Sequence, residues 1–292
     1  MVLGIFYFVP LRPIINHNEM KRLSLLSTIA AILMSMNVSA QTVVKGHVVN
    51  ERNESVEYVS IGFEEDSVGV ISDAKGYFTL TIPKGRKKEL AFSHVSYLTT
   101  EVPYQEYASG KELTVVLKDK VIELQEVVIG KKNKPKTIVG KGVPLPGGVI
   151  GMGGDGSSSA VEGGITFSCS KNYVISDILL NVAECTWKEC TLSFNLYEKI
   201  NGKYVNILQK PIYEVLQKSK ESYTLDVRPE ERLLLKRNSD YYLSLSIVDG
   251  DGSGFLYLKA YLRNGLYRQT VKGKQKKLPV RPAMQIKGYE VE

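Results

Sequence analysis

Two regions of the chain alternate apolar and polar residues with a period of two. In the first, Val59, Ile61 and Phe63 enclose Ser60 and Gly62, Phe78, Leu80 and Ile82 enclose Thr79 and Thr81, and Leu113, Val115 and Leu117 follow the same phase. In the second, Leu192, Phe194 and Leu196 stand against Ser193, Asn195 and Tyr197, and Leu243, Leu245 and Ile247 against Tyr242, Ser244 and Ser246. A third run sets Leu256, Leu258, Ala260 and Leu262 against Phe255, Tyr257, Lys259 and Tyr261. Such alternation predicts strands buried on one face and wetted on the other. Antiparallel sheets packed into sandwiches satisfy that requirement. The chain therefore reads as all-β. Asn201-Gly202 predicts a tight hairpin, and Ser72-Asp73-Ala74-Lys75-Gly76 a turn in which the Asp side chain holds backbone N–H groups. The second region has room for about eight to ten strands at the short spacing of a sandwich or jelly roll.

Within residues 43–97, Gly46 and Val48 open a strand, Val59, Ile61 and Phe63 form the next, and Gly69-Val70, Ser72-Asp73, Gly76 and Phe78 follow. This set resembles the carboxypeptidase regulatory-like domain, a prealbumin-like seven-stranded β-sandwich found in exported proteins of Bacteroidetes-type bacteria and N-terminal to TonB-dependent transporters. Ser96 stands where that family has a Gly before the Tyr at 97. The resemblance implies a fold and is silent on activity. The segment 123–129 (Glu-Leu-Gln-Glu-Val-Val-Ile) is similar to the stretch that leads from this domain into a transporter plug and barrel. The remaining chain is too short for a barrel of about 22 strands at roughly 9–11 residues each.

Composition adds an address. Lys21-Arg22 precede an apolar run at 23–36 that ends in Val38-Ser39-Ala40. That is the build of a secretory signal at 20–40, cleaved before Gln41, and the run falls short of the roughly 20 residues of a membrane span. Residues 1–19 precede a normal signal start and are expected to be an upstream mis-start, with translation beginning at Met20. The expected domains are then a regulatory-like sandwich at 41–129, a Gly-, Lys- and Pro-rich linker at 130–162, and a second sandwich at 163–292. The whole chain carries +7, and removing 1–40 takes away three basic residues and one acidic residue, leaving +5. A dispersed charge of this size serves solubility, and nucleic acid is a poor partner for an exported protein. No segment after the signal is long and apolar enough to span a membrane.

Candidate chemistry is sparse. Asp249 and Asp251, in Asp249-Gly250-Asp251-Gly252-Ser253-Gly254, offer hard oxygens to Ca²⁺, although no terminal Glu completes such a loop; a simple turn between strands is the plainer reading. No other cofactor is expected. Cys185 and Cys190 flank Thr186-Trp187-Lys188-Glu189, which reads as a hairpin loop across which they either pair as a disulfide or remain buried thiols. Trp187 at that loop tip either stacks on a sugar or covers the end of the core. Tyr242, Tyr257 and Tyr261, on the face opposite the leucines, are candidates to line a glycan or protein surface, and tyrosine also suits half-buried strands. Glu64-Glu65-Asp66 reads as a solvated turn, not as carboxylates facing across a cleft. Neither Gly-x-Ser-x-Gly nor His-Glu-x-x-His occurs. These readings combine into an expectation: a non-enzymatic, exported module of the periplasm or outer-membrane surface that binds or assembles with an envelope protein, or serves as a glycan-binding accessory protein of a polysaccharide-utilisation system.

Overall fold

The computed structural model describes residues 41–64, 66–120, 134–154, 161–268 and 273–291. The expected upstream segment, the signal and the 123–129 segment lie outside the described residues. Seven strands fill the first region: β1 (Thr42–Asn50), β2 (Ser60–Gly62), β3 (Gly69–Ile71), β4 (Tyr77–Ile82), β5 (Leu90–Ser93), β6 (Thr100–Val102) and β7 (Leu113–Leu117). One sheet runs β4-β1-β7, with β1 and β7 parallel, and the other runs β3-β2-β5-β6. The two sheets face each other as a sandwich. β4 shows the predicted alternation residue by residue, with Phe78, Leu80 and Ile82 buried and Tyr77, Thr79 and Thr81 exposed. Phe78 meets Phe92 edge-on across the layers at 5.4 Å. The turn before β4 follows from Asp73, whose Oδ1 accepts the N–H groups of Lys75 and Tyr77, both at 2.8 Å. A single helical turn, α1 (Tyr104–Tyr107), closes one end of this core, with the Tyr107 hydroxyl donating to the carbonyl of Lys88.

Among the described residues, the second region is a single connected sheet of twelve strands. They are β8 (Lys136–Val139), β9 (Val149–Gly154), β10 (Glu162–Ser168), β11 (Asn172–Ile200), β12 (Lys203–Asn206), β13 (Ile212–Ser219), β14 (Tyr223–Val227), β15 (Leu234–Leu235), β16 (Asp240–Gly250), β17 (Gly254–Arg268), β18 (Lys276–Pro282) and β19 (Met284–Val291). The path β11–β16–β10–β17 returns to β11, so the sheet closes around a core that includes Ile178, Leu180, Leu192, Phe194, Leu243 and Leu258. The Asn201-Gly202 hairpin forms as expected, with φ of 50° and 80° at its two residues.

Two differences from the sequence reading have clear causes. Part of the expected linker is sheet: β8 pairs with β19, and β9 with β17. Its glycines and prolines obscure the period on which strand recognition depends. The expected hairpin around residues 186–189 is instead the middle of β11, a 29-residue strand. Register shifts between Cys185 and Glu189 and between Thr191 and Leu192 mark bulges, and bulges bend a strand without ending it. The first half of β11 therefore pairs with β19 and β14, and the second half with β16 and β13.

Candidate functional site

The unusual surface is the face of the second sheet that turns away from its leucine core. Directly paired residues on neighbouring strands share a face. The register aligns Tyr213, Ser193, Ser246, Glu162 and Arg268 in one row across β13, β11, β16, β10 and β17. The adjacent row contains Asn195 and Ser244, and the next Tyr197 and Tyr242. A solvated sheet would leave such residues wet. Here Ser193, Asn195, Ser244, Ser246, Glu162 and Arg268 are all less than a tenth exposed.

Part of this burial comes from the first sandwich, which lies against the face within the compact unit Thr42–Glu292. The seam is held by a few polar contacts. Tyr58 donates to Asp249 Oδ2 at 3.2 Å, Ser96 donates to the carbonyl of Gln209 at 3.1 Å, and His94 Nε2 lies 3.4 Å from the Tyr213 hydroxyl. Tyr58 meets Tyr213 edge-on at 5.1 Å. Tyr58 also has φ of 51°, a left-handed backbone that a bulky residue adopts only under constraint. The rest of the seam is open: a cleft of about 470 Å³ with Arg268, Asn195, Ser193 and Ser246 on its sheet side and Tyr204 and Tyr213 beside them.

Arg268 dominates the electrostatics of this cleft. Its Nε donates to Glu162 Oε2 at 2.7 Å, and its guanidinium lies 4.7 Å from the centre of the Tyr197 ring. Ser244 hydrogen-bonds the other oxygen of Glu162. Burial opposes the arginine charge, and Glu162 with Tyr197 outweighs that opposition, so the guanidinium pKa is raised. Nη2 of Arg268 has no hydrogen-bond partner among the described residues. An unsatisfied buried donor of this kind costs about 1–3 kcal/mol. His94 is partly buried at the seam, and desolvation there pushes its pKa down to about 4, so the imidazole is neutral at pH 7. Burial together with Asp249 raises Tyr58 to about 12.

The residues singled out from sequence fall in different places. Tyr242 lies on the polar face, fully buried beneath Tyr197 and Tyr204, its hydroxyl donating to the carbonyl of Leu266. Tyr261 is 5% exposed and donates to the carbonyl of Gly142. Tyr257 is half-buried beside Phe255. None of the three lines the cleft against Arg268. Trp187 is corrected outright: it is inside β11 and 3% exposed, not at a loop tip. Its indole fills a niche between β9 and the β16–β17 turn, where a Cβ on Gly254 would come within 2.6 Å of the ring and one on Gly153 within 2.7 Å. The glycines that read as flexibility and turn make room for this ring.

Cys185 and Cys190 are free thiols with Sγ atoms 3.8 Å apart on one bent strand, not opposed across a hairpin. Burial, then the neighbouring Cys185, raises the Cys190 pKa. Asp249 is occupied by Tyr58 and by the N–H of Gly250, and Asp251 by the N–H of Glu189. Among the described residues, no group of three or more His, Cys, Asp or Glu is placed to hold a metal ion. No helix among them is long and apolar enough to cross a membrane. Asp66 forms an ion pair with Arg86 at 3.0 Å, and Glu65 lies outside the described residues. A further cleft of about 530 Å³ lies beside Trp187, Met152 and Phe78; its lining includes Gly154 and Val161, which flank residues outside the described set.

Arg268, Glu162, Asn195, Tyr204 and Tyr213 were not singled out from sequence. Their one sequence signal was phase: Asn195 alternates with leucines. Phase gives the face of a strand but not its neighbours.

The seven-stranded sandwich, its Asp73 turn and its parallel β1–β7 pair make the first region recognisable. Residues 44–129 match the CarboxypepD_reg-like domain. The CarboxypepD_reg-like sandwich thus forms one wall of the cleft, and the second sheet forms the other. No curated protein matches the chain. A solved structure of infectious bursal disease virus Gx strain is similar over 86% of this chain and 60% of its own, at 9% identity and a TM-score of 0.27. The present chain thus spans about 60% of that one, and a likeness this slight bears on neither fold nor function.

Proposed function

We propose that the protein is an exported, non-enzymatic binding module of the cell envelope, with its ligand site in the cleft between the CarboxypepD_reg-like sandwich and the second sheet. One observation carries this reading: a row of side chains from five strands lies beside the first sandwich, and four of its members, Tyr213, Ser193, Ser246 and Arg268, still border open space. Binding clefts combine aromatic walls with a few placed polar groups, and Tyr204 and Tyr213 beside Asn195, Ser193 and Ser246 supply both. The basic, apolar and small-residue run at 20–40 supports export.

The test is site-specific photo-crosslinking in cells that make the full chain. A photoreactive residue replacing Tyr204 in the cleft is expected to give discrete adducts in the envelope fraction. The same residue replacing Val143, which is 87% exposed and does not line the cleft, is expected to give none. Equal labelling at both positions, or none at either, would sink the proposal.

A glycan is favoured over an envelope protein by one feature. The cleft presents the face of a sheet lined with amide, hydroxyl and tyrosine groups, whereas an extended peptide is captured by an open strand edge.

A further inference from the structure

The geometry points to a saccharide carrying ring carboxylates, a uronate oligomer, as the ligand of this cleft, with Arg268 as the group that reads the carboxylate. This inference rests on the binding reading above and narrows it. Arg268 is 6% exposed, borders the cleft and is fixed by Nε to Glu162. A guanidinium tethered along one edge is pre-organised to give its remaining donors to a planar carboxylate.

The neighbouring groups extend the same preference. Asn206 donates to Asn195 Oδ1 at 2.9 Å, which leaves the amide nitrogen of Asn195 to donate. Ser193 and Ser246 add hydroxyls, and Lys120, bonded to the carbonyl of Asn206, adds an ammonium at the rim. Tyr204 and Tyr213 offer rings on which a sugar can stack. Glu162 and Glu64 offset the two cations, so the cleft lacks the surplus positive charge that would select a dense polyanion. Directional donors against one carboxylate per ring suit it better. The volume of about 470 Å³ falls in the usual range for small-ligand clefts.

The experiment is calorimetric titration of the purified full chain with a galacturonate trimer, a galactose trimer and a glutamate tripeptide. The galacturonate trimer is expected to bind at least about tenfold tighter than its neutral counterpart. Tyr204→Ala is expected to weaken it by a similar factor. The double variant Glu162→Gln/Arg268→Gln removes both charges together and is expected to abolish the preference for the acid while leaving a cooperative melt. Should that variant fail to melt cooperatively, Tyr204→Ala and the ratio of the two trimers still decide the matter. Equal affinity for the two trimers overturns carboxylate recognition and leaves the binding reading standing. Binding of the tripeptide without either sugar overturns the saccharide. Silence from all three, together with no crosslinks at Tyr204, overturns this inference and the proposed function alike.

Discussion

The CarboxypepD_reg-like sandwich and the second sheet start from the same sequence pattern and use it differently. In β4 of the first, the polar positions Thr79 and Thr81 point outward and are exposed. In β11 and β16 of the second, the equivalent positions Ser193, Asn195, Ser244 and Ser246 are buried. β4 spends its polar phase on water, and β11 and β16 turn theirs toward the first sandwich. Alternation is thus a statement about two faces, and what covers the second face is a separate matter.

The comparison can be broken at its strongest points first. Arg268→Met leaves Glu162 buried without its partner and should destabilise the chain by about 3–5 kcal/mol. Phe92→Ala, in the core of the first sandwich, should cost a similar amount, about 3–5 kcal/mol, through an unfilled cavity. Chemical denaturation separates the two: adding Glu162→Gln to the Arg268 variant should recover part of the loss, whereas nothing polar rescues Phe92→Ala.

The seam should respond to pH. His94 has a folded pKa of about 4 against an ordinary value near 6.5, so between these values the unfolded chain binds the extra proton. Stability attributable to this group is therefore complete above about pH 6.5 and falls as the pH drops toward 4, by up to about 3 kcal/mol. Tyr213, against the His94 imidazole, is held protonated by burial and does not offset the change, and Tyr97 packs beside the ring. Thermal melts from pH 7 to 4.5 should show the decline, and His94→Gln should flatten it. Smaller effects sharpen the contrast. Asp73→Ala removes two turn hydrogen bonds from the first sandwich and should cost about 1–2 kcal/mol in denaturant melts. Tyr58→Phe removes the hydrogen bond to Asp249 and should cost about 1 kcal/mol or less. Hydrogen exchange should place its effect at the seam and leave the two cores protected.

Much of the fold was legible because its signals are local. The period in β4, the Asn201-Gly202 hairpin and the Asp73 turn each depend on residues within a few positions of one another. Strand β9 was missed because Gly151, Gly153 and Gly154 interrupt its hydrophobic period, and β8 because it has only four residues; their pairing with β17 and β19 is long-range. Trp187 was misplaced for a related reason. Four intervening residues between two cysteines look like a loop, while a bulge that keeps the strand running has no signature as local as Asn-Gly.

The candidate site was barely legible. Its residues lie on β10, β11, β12, β13, β16 and β17, and nothing in the order of Glu162, Asn195, Tyr204, Tyr213 and Arg268 along the chain relates one to another. By itself the sequence determined an all-β chain, a first sandwich of recognisable family and the phase of each strand, because these follow from short-range sterics and from the burial of alternate side chains. Only the tertiary structure decided which phases align into a row and that the first sandwich would lie against that row. Register and domain docking depend on contacts between residues distant in sequence, and no local preference encodes them.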